Sequence, residues 1–376
     1  MSDLPLLPIY LAGSWPAASW YVRHHLDGLR HTDRGFHEDQ EEVSRDAFLV
    51  ALDDQLRAGA DIVTTQLGLP GVVEGITILD RIQGLEVLPH RKRLRSRLYH
   101  QAARYQQTKP LIALRGLGLC SDAERLMSLS STLSVISIPG PYTLAGLIHG
   151  GQSRLSTAQT LSGILRDEME SLGSMGVTMI QLDEPGMAWS NEDPATLADL
   201  VRRTVDGLPI EIHLRLGYLD GYGRPMNRRS YRPWLAPLTT AVVAATMNVR
   251  QFDLAFAASD FSEISILEEI PARRVGLGIV DTTCTWVEPV GLLVERIHQA
   301  KTQVPAERLW ISADAGLASL SRNVAIRKVN NMVEAARQVR HELGVKEATP
   351  STPVLSLPTS EPEMDIPPAR NGDISS

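Results

Sequence analysis

The chain has 376 residues, 43% of them hydrophobic and 22% charged, which suits one large α/β barrel or two ordinary domains. A net charge of −7 with no dominant acidic or basic block argues against nucleic acid as a partner. Cys120 and Cys284 lie far apart, which excludes a disulfide framework and a cysteine-based zinc cluster. No basic leader opens the sequence, and no apolar run approaches the roughly 20 residues of a membrane span, so a soluble, cytoplasmic protein with no membrane partner is expected.

Short apolar runs recur along the chain, each followed by a helical stretch. In order they are LPIYLAG, DIVTTQ, LSVISIPGP, TMIQLDEP, IEIHLRLG, QFDLAFA, VGLGIVDT and RLWISADAG. Apolar positions at helical spacing fill residues 45–59, 160–176, 289–301 and 324–343. Strands alternating with helices pair in parallel, and eight such units closing on themselves give a (β/α)8 barrel. The basic run HRKRLRSR (90–97) reads as the solvated face of a helix, and KPLIALRGLGLC (109–120) as an added hairpin between the second and third strands. From Lys346 onward the chain is rich in Pro, Ser, Thr and acid without periodicity, so one domain over 1–345 and a disordered tail over 346–376 are expected.

In such barrels chemistry sits where strands end and loops begin. The polar strand ends are Ser14, Thr65, Gln66, the turn Pro139-Gly140-Pro141, Asp183, Glu184, His213, Arg215, Asp281 with Thr282 and Thr283, and Asp314. Any one of them also reads as a helix cap or a hydrogen-bonded strand terminus. His213, on an otherwise apolar strand, is either a satisfied core histidine or a general acid or base. Arg215, with Arg224, Arg228, Arg229 and Arg232 in the following loop, favours an anionic ligand, against surface ion pairing as the alternative. The segment 23–39 holds His24, His25, His31 and His37, a conceivable second metal site without compact ligand spacing.

Several of these motifs together resemble the catalytic barrel of cobalamin-independent methionine synthases, within the wider superfamily that includes uroporphyrinogen decarboxylase. They are AGSWP (12–16), GADIVTT (59–65), IPGPYTL (138–144), GVTMIQLDEPGM (176–187), then IHLRLG, FDLAFA, VGLGIVDT and ERLWISADAGL, spanning residues 8 to 344. The resemblance implies zinc held by a histidine, a cysteine two residues on, a glutamate on the next strand and a second cysteine near the last strand. Here those positions carry His213, Arg215, Ala255 and Ala315, so no metal is expected at the family position and no other cofactor is implied. Gly13, Ser14 and Asp183 match positions that contact the amino-acid part of the substrate. The glutamate that grips its amino group is replaced by Leu67, and the aromatic that stacks on folate by Leu147.

The expectation is a zinc-independent, methyltransferase-like protein acting on a small anionic or zwitterionic substrate. His213 and Asp183 are the catalytic candidates, and Gly13, Ser14, Asp183, Glu184, Arg215, Asp281 and Asp314 the substrate-binding ones. A decarboxylase-like lyase and a non-catalytic ligand-binding paralogue are the alternatives. Whether a partner protein takes part is left open.

Overall fold

The structure is a computed structural model that describes residues 4–28, 40–64, 66–68, 78–88, 92–95, 99–102, 104–129, 133–150, 153–217 and 231–345. Its elements, in chain order, begin with β1 (Ser14–Pro16), α1 (Ser19–Gly28), α2 (Gln40–Arg57), β2 (Val63–Thr64) and β3 (Gln66–Gly68). An insertion follows with β4 (Gln83–Val87), β5 (Lys92–Arg95), β6 (Tyr99–Ala102) and β7 (Tyr105–Ile112), leading to α3 (Leu119–Leu129). The chain continues through β8 (Ser134–Pro139), α4 (Pro141–Ala145), β9 (Ile148–His149), α5 (Arg154–Ser174), β10 (Met179–Asp183), α6 (Pro194–Val205) and β11 (Glu211–Arg215). It closes with α7 (Leu235–Ala245), β12 (Val249–Ala255), β13 (Arg274–Val280), α8 (Val290–Lys301), β14 (Leu309–Ala313) and α9 (Arg322–Glu342).

Seven strands form one parallel sheet in the order β14-β13-β12-β11-β10-β8-β2. The eighth stave is only two residues long and seals it: Ile9 bridges Ile311 and Tyr10 bridges Ile62, both in parallel. Tyr10 N donates to Ile311 O at 2.8 Å and Leu11 N to Ile62 O at 2.9 Å, so the sheet has no open edge and the expected (β/α)8 barrel is complete. Outward residues such as Ile180, Leu182, Ile212, Leu214, Leu277 and Ile311 pack under the helices in the main core. A separate apolar cluster of Tyr10, Ile62, Val135, Met179 and Trp310 plugs the barrel floor, near the strands' N-terminal ends. No described helix is long and apolar enough to cross a membrane.

The insertion corrects two expectations. Lys92–Arg95 is a strand, β5, paired antiparallel with β6, because the run lacks the 3.6-residue apolar stripe that would dock a helix. Lys109–Ile112 is the end of β7, which pairs with β4 and β9 in a three-stranded sheet; the residues after it turn into α3 instead of returning as a second arm. The tail from Lys346, and with it the expectation of disorder, lies outside the described residues.

Candidate active site

Side chains alternate along the strands, so Gln181 shares the inner face with Asp183, His213 with Arg215, and Gln251 with Asp253 and Ala255. Above the apolar floor these residues build a polar column. His213 is fully buried, with Nδ1 2.9 Å from the Tyr10 hydroxyl and Nε2 2.8 Å from Glu211 Oε1. Arg274 pairs with Glu211 and lies over the Trp310 ring, 4.2 Å from its centroid. Asp253 accepts from Tyr10 Oη at 3.1 Å, Gln181 Nε2 at 2.5 Å and Gln251 Nε2 at 2.8 Å. Burial holds the His213 imidazole down at about 4, so the ring is neutral near pH 7. Both nitrogens being engaged, the geometry matches the satisfied interior histidine of the two sequence readings.

Arg215 lies on the same face two residues further up, at the mouth. Its guanidinium forms an ion pair with Asp183, in which Nη2 donates to Oδ2 at 2.7 Å and Nε lies 2.6 Å from Oδ1, and Nη1 reaches Asp314 O at 3.3 Å. The two residues are lateral neighbours in the β10–β11 register, which makes their pairing a product of strand register. Ala255 is buried on β12, and Ala315 is half-buried just after β14.

Three expected substrate contacts turn out to hold loops. Asp314 is buried and accepts from Phe256 N and Ala257 N at 3.0 Å and Ala258 N at 2.7 Å, pinning the turn after β12. Glu184, also buried, accepts from Tyr142 N at 2.9 Å and from Thr143 N at 2.8 Å and its hydroxyl at 2.5 Å, holding the start of α4. Asp281 Oδ1 accepts from Thr283 N and Oγ1 within its own turn. In each case the capping alternative describes the contacts present. Arg232 pairs with Glu269 at 2.7 Å on the surface, whereas Arg224, Arg228, Arg229, Thr65, His31 and His37 lie outside the described residues, as do the side chains of His24 and His25. Leu147 is core and Leu67 half-buried.

Burial pushes the Asp314 carboxyl up to about 7 from an unfolded value of 3.8, against three hydrogen bonds that favour the anion. A folded-state value above the unfolded one means that its contribution to stability is complete below about pH 4 and is lost as pH rises through about 7. The stability gap between wild type and Asp314→Asn in urea titrations should therefore narrow across that interval; a constant gap would contradict it.

Gly13 and Ser14 close the ring of loops. Gly13 has φ +74°, and a Cβ there would lie 2.7 Å from Gly316 Cα, so the first and last loops touch backbone to backbone. Gly13→Ala should cost about 1–3 kcal/mol in denaturant unfolding; a change within about 0.5 kcal/mol would show the contact to be soft. Sequence reasoning missed Tyr10, Glu211, Asp253 and Arg274. The available signal was a polar residue at every second position of otherwise apolar strands, as in MIQLD and QFDLA.

The positions that the sequence resemblance assigns to zinc do not fit a metal. Arg215, Ala255 and Ala315 offer no donor to a cation, and no described cluster of three His, Cys, Asp or Glu is placed to hold one.

The profile of the cobalamin-independent synthase catalytic domain matches residues 239–338. The methionine synthase of Pyrococcus abyssi is 28% identical over 347 residues, covering 91% of this chain and 95% of that protein. That of Saccharolobus solfataricus is 26% identical over 351 residues, covering 91% and 98%. Among solved structures, a B12-independent methionine synthase from Shewanella in complex with selenomethionine superposes with a TM-score of 0.71 at 23% identity, over 90% of this chain and 99% of that one, a likeness of fold. Matched along nine-tenths of its length by these synthases at 26–28% identity, and sharing a barrel fold with the solved one, the chain is similar to the cobalamin-independent methionine synthases.

Proposed function

We propose that this protein is a methyltransferase-type enzyme that holds a small anionic or zwitterionic compound at the barrel mouth and works without zinc at the family position. The relatives named methionine synthase support methyl transfer as the inherited reaction. The observation that carries the ligand class is the Arg215–Asp183 pair. A guanidinium where a metal ligand would stand repels a dication and attracts a carboxylate, while Asp183 beside it attracts an ammonium. A paired cation and anion are matched best by a ligand that carries both signs. Asp183 and Arg215 bind and orient in this reading, and His213 supports them from the layer below.

The test is a melting-temperature series on the purified protein with L-methionine, L-homocysteine and small carboxylic acids, since a ligand at a hundred times its Kd stabilises by about 2.7 kcal/mol. Methionine or a related zwitterion should raise the midpoint of the wild type, and Arg215→Ala should abolish the rise. No response in the wild type, or one that survives Arg215→Ala, would overturn the ligand assignment. Stoichiometric zinc in the purified protein would overturn the metal-free part.

A further inference from the structure

Charge is divided unevenly along this chain. Residues 83–112, the insertion from β4 to β7, carry seven lysines and arginines and a single acid, Glu86, a net charge of +6. The whole chain is at −7, so everything outside the insertion holds −13. A segment of average composition would be slightly acidic; this one inverts the sign of the molecule around it.

The fold turns this stretch into an arm. β7 pairs antiparallel with β4, from Gln83 opposite Ile112 to Val87 opposite Tyr105, and in parallel with β9. Because β9 follows the carboxyl end of β8 and α4, this small sheet stands on the mouth side of the barrel. Its base is fixed: Leu88 N donates to Arg104 O at 2.8 Å, and the buried Tyr105 donates its hydroxyl to Asp80 at 2.8 Å. Beyond it β5 and β6 pair from Lys92 opposite Ala102 to Arg95 opposite Tyr99, and with no other described strand. Val87 and Ile112 on the sheet and Leu114 just after it are 59%, 47% and 70% exposed. Exposed apolar groups beside a block of cations mark a surface that something covers.

We propose that the insertion is a docking arm through which two copies of this chain associate, the basic hairpin of each lying against the acidic remainder of the other. Charge complementarity selects that partner: +6 on the arm meets −13 on the body that carries it. A nucleic acid or an anionic bilayer is drawn to the arm too, but either one extends over the acidic barrel beside it and is repelled there. A second copy meets no such conflict, since each arm reaches the other's acid-bearing surface and the two contacts are identical about a two-fold axis. The same association takes Val87, Ile112 and Leu114 out of water. With a screening length of about 8 Å at about 0.15 M salt, the ionic attraction acts where the surfaces touch and weakens as salt is raised.

The experiment is sedimentation equilibrium of the full chain at about 0.05 M and about 0.5 M salt, between which the screening length falls from roughly 14 Å to roughly 4 Å. Wild type should form a dimer whose dissociation constant rises on the order of tenfold or more across that change. Arg93→Glu combined with Arg95→Glu should be monomeric at the lower salt. Should that variant fail to fold, Ile112→Thr with Leu114→Ser, outside the hairpin, should weaken the dimer on the order of tenfold. A wild type that is monomeric at both salts overturns the inference, and so does a dimer that salt or the hairpin variant leaves unchanged. Binding of duplex DNA, or of vesicles of equal parts phosphatidylcholine and phosphatidylserine, to a monomeric wild type would overturn it by assigning the arm to a polyanion.

Discussion

Replacing Lys328 by Met is expected to destabilise the protein by about 3–5 kcal/mol in urea titrations, the largest loss from any single substitution considered. Lys328 is fully buried on α9, where Nζ donates to Glu288 Oε2 at 2.7 Å and to Trp286 O at 2.6 Å. Glu288 is equally buried, and its other oxygen accepts from Asp281 N at 2.8 Å. The pair therefore ties both ends of the loop after β13 to the last helix. Methionine fills the volume of the lysine stem but leaves a buried carboxylate with no countercharge, and that desolvated anion dominates the cost. Adding Glu288→Gln to Lys328→Met should recover part of the loss, because the lone charge is gone while Asp281 N keeps an acceptor. A loss under about 1 kcal/mol, the range of an exposed pair, would mean that solvent reaches the site.

The barrel was legible because its signals are local. Apolar runs such as IEIHLRLG and VGLGIVDT, each followed by a helix, announce parallel strands wherever the chain is cut. What closes the ring was less legible, since only Ile9 and Tyr10 of the first run make bridges. The residues of the mouth could be enumerated but not sorted. Whether Asp314 meets a ligand or a loop depends on backbone amides 56 to 58 residues away, and whether His213 is free depends on Tyr10, 203 residues away. Lys328 carried a signal that went unread: Ala325, Val329 and Met332 form the buried stripe of α9, and Lys328 falls on that stripe, where a cation requires a partner. Gln66 was visible as a polar strand end, but its place opposite Ser14 follows from the β1–β3 register, which the sequence does not encode locally.

Arg215→Cys, Ala255→Glu and Ala315→Cys combined should convert the mouth into a zinc site, read as a zinc-dependent rise in melting temperature that the wild type does not show. With His213 they would supply one nitrogen, two sulfurs and one carboxylate, a set that zinc takes in tetrahedral geometry at about 2.0–2.3 Å. Removing the guanidinium also frees Asp183 from its cation, so the local field changes from one that repels a dication to one that attracts it. The opposing cost lies in His213, which must exchange Tyr10 or Glu211 for the metal. Metal at a thousand times its Kd stabilises by about 4.1 kcal/mol, enough to exceed the loss of one such hydrogen bond. Arg215→Cys alone, with only two donors, should bind too weakly to move the midpoint. If the triple variant folds and zinc leaves its melting unchanged, these positions do not converge on one point, and the electrostatic contrast drawn between this mouth and a metal-binding one falls with them.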